Sequence, residues 1–327
     1  MSLPVLQIQN PAEFGRVAVV MGGVAAERDV SLNSGAAVLT ALQAQGVDAH
    51  GFDLQQGNLQ DLLTGGFDRV FNIVHGRGGE DGALQGALDL AGIPYTGMGS
   101  AAAAVSMDKL TTKAVWASHR LPTPGYHHMT AAEQADAVIA ELGVPLMVKP
   151  AREGSSIGMA RVESAAELAE AWAAAAEFDP RVVVEQWITG AEYTAAILQD
   201  TVLPTIRLET PNAFYDYQAK YLADTTGYHC PSGLSDRLEE QARLVAAKAF
   251  EVLGCTGWGR IDFMVDQQGK IWLLEANGVP GMTDHSLVPM AAKAAGADFN
   301  ELVWRILETS FPASNGSAEL SDDGVVL

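Results

Sequence analysis

The stretches Trp258-Gly-Arg-Ile-Asp-Phe-Met-Val-Asp266 and Lys270-Ile-Trp-Leu-Leu-Glu-Ala-Asn-Gly278 read as two β-strands joined by a short turn. They carry Arg260, Asp262, Glu275 and Asn277. Strand side chains alternate faces, so Glu275 and Asn277 share one. With Gln267-Gln268-Gly269, or one residue more, as the turn, Asp262 lies opposite or diagonal to Glu275, roughly 5–8 Å away. Two carboxylates and an amide oxygen so placed form a hard-oxygen site of the kind Mg²⁺ uses to hold a nucleoside triphosphate. A lone Asp/Glu pair on a half-exposed hairpin is more often simply solvated. The rest of the chain decides between the two.

The chain has 327 residues, enough for two or three domains of ordinary size. Hydrophobic residues make up 48% and charged residues 18%, the balance of a soluble globular protein with a substantial core. The N-terminal segment has no cationic region or long apolar stretch, so no signal peptide is expected. No run reaches the roughly 18 apolar residues of a membrane span. Cys230 and Cys255 are too few for a disulfide framework, and no Cys/His spacing indicates zinc. Both read as reduced thiols of a cytoplasmic protein. A net charge of −20 argues against nucleic acid or an anionic membrane as partner. Of only seven lysines, Lys109, Lys149 and Lys220 fall inside the motifs below. An acidic protein that binds a polyanion must gather its cations in one cleft, because exposed charges beyond roughly 8–10 Å are screened.

Strand-like and helix-like segments alternate, which indicates an α/β protein. Arg16–Met21 reads as a strand ending at Gly22-Gly23, followed by a helix from about Ala26 to Gln45. Val70–His75 is a second strand, closing on Gly76-Arg-Gly-Gly-Glu-Asp-Gly82. An alanine-rich helix after Gly99 carries Lys109 and Lys113. Strands Pro145–Lys149 and Arg181–Trp187 flank a helix over Ala165–Ala176, and a further helix covers Ser235–Leu253. Phe214–Tyr221 is polar and aromatic, and Pro312 to Leu327 reads as a disordered tail.

Lys149 ends its strand, and Arg152-Glu-Gly-Ser-Ser-Ile-Gly158 follows as a loop. Gly154 lets backbone approach a ligand, and the Ser155 and Ser156 hydroxyls with nearby N–H groups can cradle phosphate oxygens. The loop is not a P-loop, and alone it is more often an ordinary turn. Glu185-Gln-Trp-Ile188 ends a buried-looking strand, from which backbone groups and Glu185 could meet an adenine edge, with Glu192 placed for ribose hydroxyls. Gly22-Gly23-Val-Ala-Ala-Glu27 does not match Gly-x-Gly-x-x-Gly, and an acid at the helix start opposes a pyrophosphate there. Glu27 suits a substrate ammonium, or it is simply a helix-dipole carboxylate. His75 and its glycine-rich loop lie at a strand's C-terminal end, where open α/β sheets bind ligands.

These residues together resemble the D-alanine–D-alanine ligase family of the ATP-grasp superfamily. The motifs are Gly22-Gly23…Ala-Glu-Arg28, His75-Gly-Arg-Gly-Gly-Glu-Asp-Gly, Ser106-Met-Asp-Lys109 and Val148-Lys-Pro…Arg-Glu-Gly-Ser-Ser-Ile-Gly. Phe214-Tyr-Asp-Tyr-Gln-Ala-Lys-Tyr221, Gly257-Trp-Gly-Arg-Ile-Asp and Leu274-Glu-Ala-Asn…Pro-Gly-Met-Thr283 complete the set. They run in order from about Arg16 to Leu307. Ala25 stands where the family usually has Ser, and Gly278-Val279 where Thr-Ser or Thr-Val is usual. The first departure affects support of Glu27, and the second adds flexibility beside Asn277.

The resemblance implies a three-domain ATP-grasp architecture: an open parallel α/β substrate domain (1–98) and two α+β domains (99–184 and 185–312) sandwiching the nucleotide, with 313–327 as the tail. It implies that ATP phosphorylates the carboxylate of one D-alanine and that the amine of a second attacks the acyl carbon, supplying a peptidoglycan precursor. Two Mg²⁺ (or Mn²⁺) ions would be held by Asp262, Glu275 and Asn277. Lys109 and Lys149 would bind phosphates, with the Gly154–Ser156 loop as lid. Glu153, Glu185, Trp187, Ile188, Glu192, Phe214, Lys220 and Met264 would complete the ATP site. Arg260 and the Gly281 N–H would serve the transferring phosphoryl and the oxyanion. Glu27 and His75 would bind the first substrate, Ser286 and Leu287 the second, and Ser155 would link Glu27 to Tyr221. The family is commonly dimeric. Another ligase of this fold would differ only in its second substrate, and Lys220-Tyr221 favours the dipeptide. A dehydrogenase is disfavoured by the missing glycine fingerprint, and a non-catalytic nucleotide-binding module by the presence of Asp262, Glu275 and Arg260.

Overall fold

The computed structural model describes residues 3–154, 157–199, 201–209, 227–283 and 286–312. The expected tail over 313–327 and the polar aromatic segment from Phe214 to Tyr221 lie outside the described residues.

Strand β1 (Arg16–Gly22) is the centre of a parallel three-stranded sheet, flanked by β2 (Asp48–Leu54) and β3 (Arg69–Asn72). Its near-continuous apolar run is what a strand covered on both faces requires. Val17, Val19 and Met21 point into one core with Val38, Ala41 and Leu42 of the helix Arg28–Ala44. Ala18 and Val20 point the other way, against Leu62, Leu84 and Leu88. Gly22 and Gly23 turn the chain from strand to helix with φ of 87° and 85°. A Cβ on Gly22 would collide with the Asp53 carboxylate, so this tight turn needs glycine.

Strands β4 (Tyr126–Met129), β5 (Leu146–Pro150), β6 (Ala160–Val162) and β7 (Val182–Gln186) form an antiparallel sheet in the order β4-β7-β5-β6. Leu146, Val148, Val182 and Val184 bury one face against Val138 and Leu168 of the helices Ala135–Leu142 and Ala165–Ala176. Alternation therefore sends Lys149 and Glu185 to the other face.

The largest sheet is also antiparallel. It comprises β8 (Gly190–Leu198), β9 (Thr201–Val202), β10 (Ile206–Glu209), β11 (Gly227–His229), β12 (Trp258–Asp266) and β13 (Ile271–Asn277). The order is β11-β10-β8-β12-β13, with β9 paired to β8. Tyr193, Ala195, Ile197, Ile261, Phe263 and Val265 pack on Ala242, Ala246, Ala249 and Phe250 of the helix Asp236–Val252. The β12–β13 pairing contains an irregularity. Phe263 pairs with Leu273 but Asp262 pairs with Glu275, so Leu274 is an extra residue, a β-bulge. Upstream of the bulge Ile271 and Leu273 face the core; beyond it Ala276 does, and Glu275 and Asn277 turn to the opposite face.

Chain order and core membership differ. The helices Ser100–Met107 and Lys109–Ser118 give Ala102, Ala103 and Trp116 to the core of the large sheet, where the Trp116 indole donates to the Ala249 carbonyl at 3.0 Å. The last helices, Leu287–Ala294 and Phe299–Glu308, pack instead with the first sheet. Glu308 Oε1 accepts the Gln7 and Ile8 N–H groups at 2.8 Å each, tying the two ends of the molecule together.

Candidate active site

Arg260, Asp262 and Met264 alternate along β12 on the face opposite its apolar core. Beside them lie Thr194 and Glu192, paired with Asp262 and Met264, and across the bulge lie Glu275 and Asn277. Arg260 clasps Asp262 through Nε to Oδ1 and Nη2 to Oδ2, each 2.7 Å. Thr194 Oγ1 donates to Oδ1 at 2.7 Å, and Asn277 Nδ2 donates to Oδ2 at 3.0 Å. The Asn277 carbonyl oxygen is thus the end of that amide a cation would take. Among the described residues no three acids, histidines or cysteines converge. The donor set here is two directly opposed carboxylates and an amide oxygen, which fits a hard cation that takes its remaining ligands from phosphate and water.

Facing this sheet is a buried group of cations. Lys109 Nζ pairs with Glu275 Oε2 at 3.3 Å and donates to the Glu153 carbonyl at 2.8 Å, linking the loop after β5 to the large sheet. Glu185 pairs through Oε1 with Lys149 and through Oε2, at 2.6 Å, with Lys113, which is fully buried. Lys113 also donates to Thr123 Oγ1 at 2.8 Å. Burial alone would raise the Glu185 carboxyl, but the two ammoniums hold it at about 2. Burial lowers the Lys149 ammonium, yet Glu185, Glu275 and Glu192 outweigh it and leave it raised. Burial keeps Lys113 below the usual lysine range. Two lysines thus share one buried carboxylate, a local gathering of cations inside an acidic protein.

A cleft of about 390 Å³ opens between these elements and the first sheet; it is lined by Glu27, His75, Lys109, Gly154, Arg260 and Gly281, among others. Glu27 stands at the N-cap position of the helix Arg28–Ala44 without a side-chain cap bond, and its carboxylate lies between two glycine loops. A Cβ on Gly154 would sit 2.5 Å from Glu27 Oε1, and one on Gly76 2.8 Å from Oε2. His75 is buried, and neither ring nitrogen has a hydrogen-bond partner among the described residues. Burial, reinforced by Arg260, lowers its pKa to about 4, so the imidazole is neutral near pH 7. A buried imidazole with both nitrogens unsatisfied is costly unless a ligand supplies the bonds. On the far wall Ser286 precedes the helix Leu287–Ala294 without a side-chain cap bond to it, and its hydroxyl accepts the Thr283 N–H at 2.9 Å.

Of the residues expected in the site, Glu27, His75, Lys109, Glu153, Arg260, Glu275, Asn277, Gly281, Ser286 and Leu287 line this cleft. Lys149, Glu185, Asp262, Glu192 and Met264 are not among its lining and lie on strands of the two antiparallel sheets, the first three buried and the last two partly so. The Glu153 carboxylate pairs with Arg77 at 2.7 Å, so its main chain is the part that meets Lys109. Trp187 lies under the Arg161 guanidinium at 5.3 Å, beside Ile188 just past the end of β7. Ser155, Ser156, Phe214, Lys220 and Tyr221 lie outside the described residues. Asp53 is held by Arg28 at 2.7 Å, a structural pair. Sequence reasoning passed over three residues: Thr194, Lys113 and Glu80. Lys113 is one helical turn from Lys109, a spacing that puts both on one face. Glu80 lies within the glycine-rich loop after β3, where only its position among glycines marks it.

Two antiparallel sheets meeting across buried lysines and carboxylates, beside an open parallel sheet, define an ATP-grasp ligase. A family model described as "D-ala D-ala ligase C-terminus" matches residues 115–308, and one described as "D-ala D-ala ligase N-terminus" matches 53–98. The chain is 55% identical over 305 residues to the D-alanine--D-alanine ligase of Methylococcus capsulatus, covering 93% of this chain and 99% of that protein. A crystal structure of the Bacillus anthracis D-alanine--D-alanine ligase aligns with a TM-score of 0.80 at 32% identity, covering 90% of this chain and 97% of the other. A crystal structure of a Bacillus anthracis D-alanine--D-alanine ligase complexed with ATP aligns with a TM-score of 0.78 at 30% identity, covering 90% of this chain and 97% of the other. The chain belongs to the D-alanine–D-alanine ligase family. It is an ATP-dependent ligase that joins two D-alanines into D-alanyl-D-alanine, a peptidoglycan precursor.

Proposed function

We propose how the residues of the cleft divide this reaction. The carboxylate of the first D-alanine attacks the γ-phosphorus of ATP, ADP leaves, and an acyl phosphate forms. The neutral amine of the second D-alanine then attacks the acyl carbon, phosphate departs with its bonding electrons, and the amine's excess proton is released. The protein's contribution is positioning and charge neutralisation. Lys109, Lys149 and Lys113, the last through Glu185, hold the phosphates. Glu185, Trp187, Ile188, Glu192 and Met264 frame the nucleoside. Glu27 takes the first ammonium and neutral His75 donates to its carboxylate. Arg260 serves the transferring phosphoryl and, with the Gly281 N–H, the oxyanion, while Ser286 and the Leu287 N–H receive the second carboxylate. Ser155, Ser156, Phe214, Lys220 and Tyr221 complete this assignment as closing-loop and triphosphate contacts.

Two Mg²⁺ or Mn²⁺ ions, held by Asp262, Glu275 and Asn277, would neutralise triphosphate charge when bound. We place the first domain division after residue 98 and move the second from 184/185 to beyond Gln186, because Val182–Gln186 is one hydrogen-bonded strand. We also propose a homodimer in the cytoplasm; among the described residues no helix is long and apolar enough to cross a membrane. The observation that carries the site assignment is that Lys109 reaches Glu275 at 3.3 Å while Asp262, directly opposite Glu275, holds Arg260. Phosphate release from ATP tests it. Release should require D-alanine, ignore L-alanine, and fall at least 100-fold in Asp262→Asn or Arg260→Met. Full activity in both variants would overturn the assignment.

A further inference from the structure

The two amino-acid subsites assigned above lie on different walls. Glu27 and His75 sit on the wall built by the first sheet, and Gly281 and Ser286 on the loop that leaves β13. Buried packing of Val279, Met282 and Leu287 against the core of the first sheet, and the Met282 N–H donating to Ser34 Oγ at 3.1 Å, already join these walls; beside the cleft, one further side chain bonds to both. Glu80 Oε2 accepts the Gly76 N–H at 2.7 Å, and its Oε1 accepts the Val279 N–H at 3.0 Å. The second bond spans 199 residues of sequence. Each donor is next to working parts. Gly76 follows His75, has φ of 68°, and approaches Glu27 so closely that a Cβ there would sit 2.8 Å from its carboxylate. Val279 lies between Asn277 and Gly281 and lines the cleft.

The loop that presents Glu80 is itself fixed. Asn72 Nδ2 and Gln85 Nε2 both donate to the Gly79 carbonyl, at 2.9 and 2.7 Å, and Asp81 Oδ2 accepts the Gly78 N–H at 3.0 Å. A side chain so anchored transmits position, because hydrogen bonds to peptide N–H groups are directional. In the stretch Gly278-Val279-Pro280-Gly281 the proline restricts itself and Val279, and the backbone freedom lies at the two flanking glycines. The Glu80 bond at Val279 adds to the restraint that the Met282 N–H bond to Ser34 Oγ provides at the far end of the stretch.

We infer that Glu80 is a positioning residue that, at the cleft end of the joint also held by the Ser34–Met282 bond, sets the spacing between the first-substrate wall and the loop carrying the oxyanion and second-substrate groups. The inference rests on the assignment of those groups in the preceding section. Reactive atoms must meet at about 3 Å, and misplacement by about 1 Å costs on the order of 100-fold in rate. The carboxylate suits the task because both partners are donors. A glutamine of the same shape has one acceptor oxygen and turns an NH₂ toward the second donor.

Glu80→Gln in the full chain tests it by two measurements. Amide exchange read by mass spectrometry should quicken at least tenfold in both peptides, the one around Gly76 and the one around Val279, with or without activity. Steady-state kinetics should show the half-saturating concentration for the second D-alanine raised at least tenfold, with the KM for ATP within twofold of the parent. Exchange quickened in one peptide or neither would overturn the inference, as would kinetic constants all within twofold. Equal losses in ATP and D-alanine affinity would also overturn it, since they indicate general loosening. Should Glu80→Gln not fold, Glu80→Asp is judged by the same criteria, since its side chain is too short to span both loops. A parent protein that releases no phosphate with D-alanine would refute the functional assignment, and the exchange measurement would still decide the tether.

Discussion

At the scale of single residues, the strongest constraint is the charge arithmetic around Glu185. Removing its charge leaves Lys113 and Lys149 buried without their shared counter-ion, a change that costs about 3–5 kcal/mol when a buried pair is broken from one side. Glu185→Gln should therefore lower unfolding free energy by about that much in urea titration. It should also weaken ATP, because Lys149 loses its anchor. The pH dependence has a definite sign. The folded carboxyl sits at about 2 against an ordinary value of 4.5, so the stabilisation is complete above pH 4.5 and disappears as pH falls through 2. The stability gap between parent and Glu185→Gln should stay constant from pH 7 to 5 and shrink below 4.5. A gap that widens on acidification would contradict the ion triad. Glu185 and Lys149 were both legible in sequence as strand-end residues. Lys113 was not, because a lysine on an alanine-rich helix reads as solvated until the fold shows that this helix is covered.

At the scale of elements, neighbouring positions on β12 have opposite duties. Asp262 faces Arg260, Thr194 and Asn277 on the side away from the core, and Phe263 is buried in the core stacked on Tyr193 at 5.6 Å. Phe263→Ala should cost about 3–5 kcal/mol of stability, the usual range for a buried aromatic. At a temperature where the variant stays folded, its KM for D-alanine should match the parent within twofold. A large KM effect without destabilisation would mean that the two faces are not separate. The alternation itself was readable from the sequence. The bulge at Leu274 was not: Leu273 and Glu275 have the same parity, and an unbroken strand would send both to one face. Only pairing with β12 shows the extra residue that lets Leu273 enter the core while Glu275 meets Asp262.

At the scale of the whole molecule, ligand should tie the sheets together. A nucleotide that binds only the native state stabilises it by about 2.7 kcal/mol at 100 times its Kd. ATP with Mg²⁺ should raise the melting temperature by several degrees in a thermal scan. Asp262→Asn, or chelation of the metal, should remove most of that rise while ADP alone keeps a smaller one. An equal shift in the variant would argue against a metal-assisted triphosphate site. The fold class was legible in outline, since α/β alternation and motif order point to an ATP-grasp architecture with an open parallel α/β unit and two α+β units. The sharing of cores was not. Trp116 lies ahead of the four-stranded sheet in sequence yet packs in the core of the large sheet, and Trp304 near the end packs on Phe14 near the beginning.

The sequence alone determined the chemistry: the acids, amide and arginine on the hairpin, the lysines of an acidic chain, and the motif order that names the family. Those are properties of residue type and spacing along the chain, so they can be read in one dimension. The tertiary structure alone decided which donor meets which acceptor. Lys113 became a buried counter-ion, Leu274 a bulge and Glu80 a clasp only once strands paired and walls closed. Their partners lie tens to hundreds of residues away, and burial, which gives such contacts their strength, exists only in the folded chain.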